Sequence, residues 1–180
     1  SGTLSGDNTG YNGTAFDVKN NGSELKLIGG TKLTLDELES AIVFTTKASS
    51  AENMGKITMD GDSTLTIDTI DGNASNGGVW SVKDSTIDID DCGDHALSTE
   101  KFTASGDSEI SVTGAGMFAL YGTVIDLQNS TELTVTNCGS KIDGTTGYAE
   151  PYYKYQSPVQ IKSTGTIIGS PSMTVAENAQ

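Results

Sequence analysis

The chain repeats one short unit four times in succession: GDSTLTIDTI (61–70), DSTIDIDDCG (84–93), DSEISVTGAG (107–116) and NSTELTVTNC (129–138). The first apolar residue of the unit recurs at steps of 22, 23 and 23 residues, at Leu65, Ile87, Ile110 and Leu133. A repeat this short and regular is typical of stacked coils, each of which buries its apolar side only against its neighbours.

Other positions of the unit keep the same spacing. One apolar column follows the anchors by five residues, at Ile70, Cys92, Ala115 and Cys138. Another precedes them by eight residues, at Ile57, Val79, Phe102 and Ile125, which predicts that Trp80 points outward. Period-two alternation with Thr, Ser and Asp predicts short strands separated by corners, not helices. We therefore expect an all-β fold of stacked parallel coils.

The two cysteines test this register. Cys92 and Cys138 fall in one column, two coils apart, with Ala115 between them. Parallel strands lie ~4.8 Å apart, so the two residues would be ~9.6 Å apart. That exceeds the ~7 Å Cα limit for a disulfide. The spacing predicts two free, buried thiols.

Composition and charge exclude several functions. The net charge is −14, with ten basic residues that are all lysine, so a phosphate backbone or an anionic membrane is an unfavourable partner. No apolar run approaches the length of a membrane-spanning helix. We expect one domain over residues 1–180, exported and cut from a longer protein. Neither end has an obvious polar cap, and we expect a monomer.

Two spacings exceed the repeat and indicate inserted loops, at about residues 45–55 and about residues 144–160. The second contains four of the six tyrosines: Tyr148, Tyr152, Tyr153 and Tyr155. Insertions on repeat scaffolds collect on binding faces. We expect both loops to leave the coils at the same corner, after Ile42 and Ile142, and to form two walls around a shallow groove.

The residues between the predicted walls suit a sugar. Trp80, Tyr121 and the loop tyrosines would stack on the sugar ring. Its hydroxyl groups would form hydrogen bonds with the side chains of Thr58, Thr103 and Asp126. The alternative is that the tyrosines form a small core of their own on the flank and that Trp80 packs there.

The acidic stretch DIDDCGDH (88–95) is a candidate metal site. Asp90 stacks on Asp68 in the repeat, and neighbouring corners supply three more carboxylates, Asp71, Asp91 and Asp94. Stacked carboxylates ~5 Å apart repel by ~1 kcal/mol in water, and Ca²⁺ would reverse that sign. The alternative is a solvated acidic face. His95, the sole histidine, is expected at the surface.

The units GAGMFALYGTVIDLQNSTELTVTNCGS (114–140) resemble the passenger repeats of bacterial surface adhesins and autotransporters. The stretch STIDIDDCGDHALSTEKFTASGDSEISVTGAG (85–116) is similar to clostridial calcium-containing β-helix proteins that bind plant polysaccharides. The resemblance covers residues 13–176 and implies a right-handed parallel β-helix, an extracellular or cell-surface setting in bacteria, and structural Ca²⁺. It also implies a glycan or a host surface protein as the ligand.

Three function classes follow. The first is a non-enzymatic adhesion or carbohydrate-binding module, and the second is a structural stalk. The third is an enzyme of the pectin-degrading type that shares the β-helix fold. Lyases of that type resemble each other in a basic catalytic residue, commonly Arg, and this chain contains no arginine. Hydrolases need paired carboxylates, and only Asp126 falls in the expected groove.

Overall fold

The computed structural model describes residues 3–7, 13–19, 22–44, 54–139 and 158–176. In these residues the chain forms β-strands and no helix, so no helix there is long and apolar enough to span a membrane. The strands are β1 (Thr3–Asp7), β2 (Thr14–Asp17), β3 (Glu24–Ile28), β4 (Lys32–Leu38), β5 (Ser40–Val43), β6 (Lys56–Asp60), β7 (Thr64–Ile70), β8 (Ser75–Asn76), β9 (Val79–Lys83), β10 (Thr86–Cys92), β11 (Leu97–Ser105), β12 (Glu109–Ala115), β13 (Leu120–Asn129), β14 (Glu132–Thr136), β15 (Val159–Gly169) and β16 (Ser172–Ala176).

The strands form two parallel sheets. Sheet 1 has the order β1-β4-β7-β10-β12-β14-β16. Sheet 2 has the order β2-β5-β8-β11-β9-β6-β3, with β13 paired to β11 and β15 paired to β13. Strand β11 pairs with β8 through Leu97 and Ser98 and with β9 through residues 101–105, so sheet 2 is strongly curled. The predicted all-β architecture of parallel strands is confirmed.

The predicted anchor register is also confirmed. In sheet 1, each anchor pairs directly with the next, in the order Leu33, Leu65, Ile87, Ile110, Leu133 and Met173. The four anchors of the repeat, from Leu65 to Leu133, are buried. Strict alternation of apolar and polar residues allows only one pairing that buries the apolar set.

The cysteine column lies where the repeat predicts. Cys92 pairs with Ile70 on one side and with Ala115 on the other. The Gly139 N–H donates to the Ala115 carbonyl at 2.7 Å, as the Gly116 N–H donates to the Cys92 carbonyl at 2.8 Å, which places Cys138 in the same column. Both cysteines are buried, and neither is in a disulfide.

The predicted outward orientation of Trp80 is wrong. Trp80 pairs with Ile57 and Phe102 and is completely buried, whereas Val79 is half-buried. The step from Ile57 to its partner is one residue longer than the alignment assumed. Because side chains alternate between the two faces of a strand, a slip of one residue exchanges them. Ser81, which is exposed, takes the outward position instead.

Two corners of the coil repeat a left-handed backbone conformation. The first corner, directly before the cysteine column, has φ of 54°, 52°, 49°, 72° and 52° at Glu37, Thr69, Asp91, Gly114 and Asn137. The second has φ of 63°, 67°, 46°, 68°, 59° and 86° at Gly29, Gly61, Asp84, Gly106, Asn129 and Gly169. Gly, Asn and Asp adopt this conformation with least strain, which explains their recurrence in the units.

The second corner is closed by buried hydroxyl groups. Each one donates to a backbone carbonyl two or three residues earlier: Ser63 to Asp60 at 2.8 Å, Ser85 to Lys83 at 2.8 Å, Ser108 to Ser105 at 2.6 Å and Thr131 to Gln128 at 2.7 Å. A buried hydroxyl without a partner would be destabilising, so these bonds make the Ser or Thr of each unit compatible with the core.

We had predicted that the two long segments leave the coils at the same corner, and this prediction is wrong. The first lies between Val43, which pairs with Asn76, and Lys56, which pairs with Val79. The second ends at Pro158, whose carbonyl accepts from the Ala119 N–H at 2.9 Å, one corner earlier in the coil. Residues 159–160 already belong to β15. The prediction relied on Ile142, which lies outside the described residues.

Candidate functional site

One row of outward positions crosses the coils in register, and we call it the outer row. Its members pair in the order Lys26, Thr58, Ser81, Thr103, Asp126 and Thr166. Three predicted ligand-binding residues, Thr58, Thr103 and Asp126, therefore lie in one row, while Trp80 lies in the core. The predicted loop residues Tyr148, Tyr152, Tyr153 and Tyr155 lie outside the described residues.

Both ends of the outer row are engaged in local polar contacts. The Thr58 hydroxyl donates to Glu24 Oε1, and Lys26 Nζ lies 3.2 Å from Glu24 Oε2. The hydroxyl contact, with smaller contributions from Lys26, lowers the pKa of Glu24. At the other end, Gln128 Nε2 donates to Asp126 Oδ2 at 2.7 Å. In the outer row, the side chains of Lys26, Thr58 and Asp126 are therefore already engaged in contacts with their neighbours.

Tyr121 lies in a different row, which we call the tyrosine row. It pairs with Ser98 on one side and with Gln160 on the other, and Asn76 pairs with Ser98 in turn. The tyrosine row belongs to the first half of β11, β13 and β15, before sheet 2 curls. Tyr121 is thus brought together with small amide and hydroxyl side chains.

Three rings meet beside the tyrosine row, and we call them the aromatic corner. Phe118 and Tyr121 are stacked with centroids 5.1 Å apart and planes at 18°. His95 meets Phe118 edge-on at 5.1 Å and Tyr121 at 6.0 Å. Phe118 is buried, whereas His95 and Tyr121 are half-buried. Edge-on and offset contacts of this kind stabilise aromatic clusters.

His95 is held in the aromatic corner and is not the simple surface histidine we expected. The backbone N–H of His95 donates to Asn73 Oδ1 at 3.4 Å, and within the described residues the buried ring atom Nδ1 finds no hydrogen-bond partner. Burial lowers the pKa of His95, and the Asp94 carboxylate opposes this only in part. The neutral imidazole is therefore the favoured form at neutral pH.

Repeat reasoning missed the aromatic corner because its members have no common residue type. His95 and Phe118 occupy one position of the coil, directly before the alanines at 96 and 119, and Asn73 holds the same position before the alanine at 74. The three buried alanines, Ala74, Ala96 and Ala119, are the signal in the sequence that could have identified this position. Small buried residues in register mark a tight corner, and the residue directly before each of them lies at that corner. The chain returns at Pro158 one coil beyond Phe118.

Three acidic residues form a row across adjacent strands of sheet 1, at Asp36, Asp68 and Asp90. Asp68 pairs with Asp36 and with Asp90 on adjacent strands, and Thr69 Oγ1 donates to Asp68 Oδ1 at 3.1 Å. Asp71, Asp90 and Asp91 are exposed, and Asp94 is half-buried. Within the described ranges, no group of three or more His, Cys, Asp or Glu side chains is arranged to hold a metal ion. Calcium binding stays a prediction from the sequence.

The buried thiols are poor nucleophiles. Burial raises the pKa of Cys92 to about 12, and it raises the pKa of Cys138 as well. Cys138 Sγ lies 3.3 Å from the Thr136 carbonyl and 3.8 Å from the Val112 carbonyl. Because the thiolate is the reactive form, both cysteines act as small apolar residues of the core.

Comparison with protein-family models, curated proteins and solved structures finds no match to this chain. The resemblance to bacterial β-helix surface proteins therefore stays an expectation from the sequence.

Proposed function

We propose that the chain is a right-handed parallel β-helix that binds carbohydrate at the tyrosine row and acts in adhesion or glycan binding outside a bacterial cell. The stacked register of both sheets and the long strands that bend between two faces support the β-helix. The negative charge and the polar outward positions support a neutral ligand rich in hydroxyl groups.

The aromatic corner is the observation that carries the binding proposal. Tyr121 is half-exposed, and its ring is held by stacking on Phe118 and by the edge-on contact with His95. A side chain that is already ordered loses little conformational entropy when a ligand packs against it. Aromatic rings suit the C–H faces of sugars, and Ser98 and Gln160 supply polar groups one strand away on either side.

A structural stalk is the second candidate. The buried column runs without interruption through the described coils, from Leu27 to Cys138, and this is what a rigid spacer needs. The pectin-degrading type of enzyme has weaker support, because Asp126 is the only carboxylate in the outer row and its Oδ2 already accepts from Gln128.

A glycan array probed with wild type, Tyr121→Ala and Thr103→Ala tests the proposal. We expect wild type and Thr103→Ala to retain the same glycans. Tyr121→Ala should weaken binding at least about tenfold, which corresponds to ~1.4 kcal/mol. Tyr121 is half-exposed, so circular dichroism should show the variant folded.

Two results would contradict the proposal. Retention of no glycan by the wild type would favour the stalk. Loss of binding in Thr103→Ala but not in Tyr121→Ala would place the ligand on the outer row instead. Release of reducing or unsaturated sugar from pectic substrates would favour the enzyme.

A further inference from the structure

We propose that the carbohydrate ligand is a linear, uncharged glycan whose chain runs across the strands, along the tyrosine row, with about one sugar unit on each coil. The polar part of the tyrosine row consists of Asn76, Ser98, Tyr121 and Gln160. This inference rests on the carbohydrate-binding function proposed above, and it adds the shape and the orientation of the ligand. It follows from the dimensions of the surface that carries Tyr121.

Along the strands, this surface is only one side chain wide. In β11, the half-buried Ser98 lies between Leu97 and Thr99, which are both buried. Tyr121 lies between two buried residues in β13 as well. Sheet 2 curls directly after this position, where β11 changes its partner from β8 to β9. A ligand that lay along one strand would therefore meet a single side chain of the row between the corner and the curl.

Across the strands, the same surface is long and regular. Asn76, Ser98, Tyr121 and Gln160 lie on β8, β11, β13 and β15, and each pairs directly with the next. The first and the last member are three strand spacings apart, which is ~14 Å. A sugar unit of an extended β-1,4-linked chain is about as long as one strand spacing. A chain that runs along the row can therefore meet a new side chain at every coil.

The side chains of the row have the chemistry that such a chain needs. Tyr121 offers a ring face for stacking, and its ring is held by the other two rings of the aromatic corner. The amides of Asn76 and Gln160 and the hydroxyl of Ser98 can each donate and accept hydrogen bonds, as sugar hydroxyls do. Beyond Asn76 the next member of the row is Val43, which is apolar, so the polar part ends there.

The charge of the protein favours an uncharged chain. The four side chains of the polar part are neutral at pH 7, whereas the whole chain carries a net charge of −14. An acidic polysaccharide would find no cationic partner among these four side chains, and the rest of the protein would repel it at low salt. A neutral glycan meets no such repulsion.

Calorimetric titration with oligosaccharides of increasing length tests the inference. The probes are β-1,4-linked oligomers of glucose, of xylose and of mannose, from the monosaccharide to the hexasaccharide. For at least one of these series, the affinity of the wild type should rise by about two- to tenfold with each added unit, which is the contribution of about one hydrogen bond. The affinity should level off after about four units, because the polar part of the row spans four coils.

The variant Asn76→Ala tests the orientation of the chain. A disaccharide bound on Tyr121 reaches only an adjacent coil, whereas Asn76 lies two coils away, ~9.6 Å from Tyr121. Asn76→Ala should therefore weaken binding of the tetrasaccharide by about two- to tenfold and leave binding of the disaccharide unchanged. Tyr121→Ala should weaken both. Gln128→Ala removes an amide outside the row and is the matched control, which should bind every oligomer like the wild type.

The outcomes separate this inference from the function on which it rests. Equal affinity for the monosaccharide and the hexasaccharide would overturn the inference and leave carbohydrate binding at Tyr121 intact. The inference would also be overturned if Asn76→Ala bound the tetrasaccharide as Gln128→Ala does, or if the wild type bound none of the three series but retained other glycans on the array. If the wild type bound no oligomer and retained no glycan, the proposed function itself would fail.

Discussion

Replacing Trp80 with alanine should cost about 3–5 kcal/mol of unfolding free energy, the usual cost of truncating a large aromatic residue in a core. Trp80 is completely buried between Ile57 and Phe102, so the change leaves a cavity inside the coil stack. Most domains have only ~5–15 kcal/mol of stability, so the loss will be large. Val79→Ala, at the adjacent half-buried position, should cost less than ~1 kcal/mol.

A second variant separates volume from polarity. Within the described residues, the buried Trp80 Nε1 has no hydrogen-bond partner. Phenylalanine removes that donor, and a buried unsatisfied donor costs ~1–3 kcal/mol, which offsets part of the lost packing. Trp80→Phe should therefore cost no more than about 2 kcal/mol.

Urea denaturation followed by circular dichroism measures all three variants on one scale. Trp80 is the sole tryptophan, so the fluorescence of the wild type reports on it alone. We expect a blue-shifted emission and weak quenching by acrylamide. A red-shifted, readily quenched indole, or a Trp80→Ala cost no larger than that of Val79→Ala, would refute the inward orientation.

Thr69→Asn should raise the unfolding free energy by ~0.5–1 kcal/mol in urea denaturation, because a β-branched residue is strained at its φ of 52°. Gly114→Ala, in the same column, should lower it by ~1–2 kcal/mol, because the new Cβ would lie 3.3 Å from the Asp91 nitrogen. Without Ca²⁺, in the presence of a chelator, Asp68→Asn should be ~1 kcal/mol more stable than the wild type, because it removes the repulsion between stacked carboxylates. If the variant is less stable than the wild type in added Ca²⁺, that result would support the calcium site. A thiol reagent at pH 8 should label Cys92 and Cys138 only after unfolding. Because the pKa of Cys92 is raised to about 12, its thiol stays protonated in the fold while the unfolded thiol ionises, and stability should fall by ~1.4 kcal/mol per pH unit above pH ~9.

The sequence predicted the regular part of the fold well because the anchors alternate strictly with polar residues. Leu65, Ile87 and their equivalents can be buried in only one register. The prediction was wrong where two apolar residues are adjacent, at Val79 and Trp80, because alternation cannot decide which of them points inward. The structure resolves this by making that part of the coil one residue longer.

The candidate site was less predictable. Tyr121 was expected in the groove between the two long segments. It instead lies beside His95 and Phe118, which share a position in the repeat but no residue type. The predicted corner for the second long segment was wrong because the prediction relied on one isolated residue, Ile142, to set the register.

The account depends most on the register of the outer row, and engineered disulfides test it directly. Ser81 pairs with Thr103 on the adjacent strand, whereas Thr58 lies two strands from Thr103, a separation of ~9.6 Å. Mild oxidation should therefore link Ser81→Cys to Thr103→Cys within one chain and should leave Thr58→Cys and Thr103→Cys unlinked. Efficient linkage of the second pair, or failure of the first in a folded protein, would contradict the stacking of residues one repeat apart.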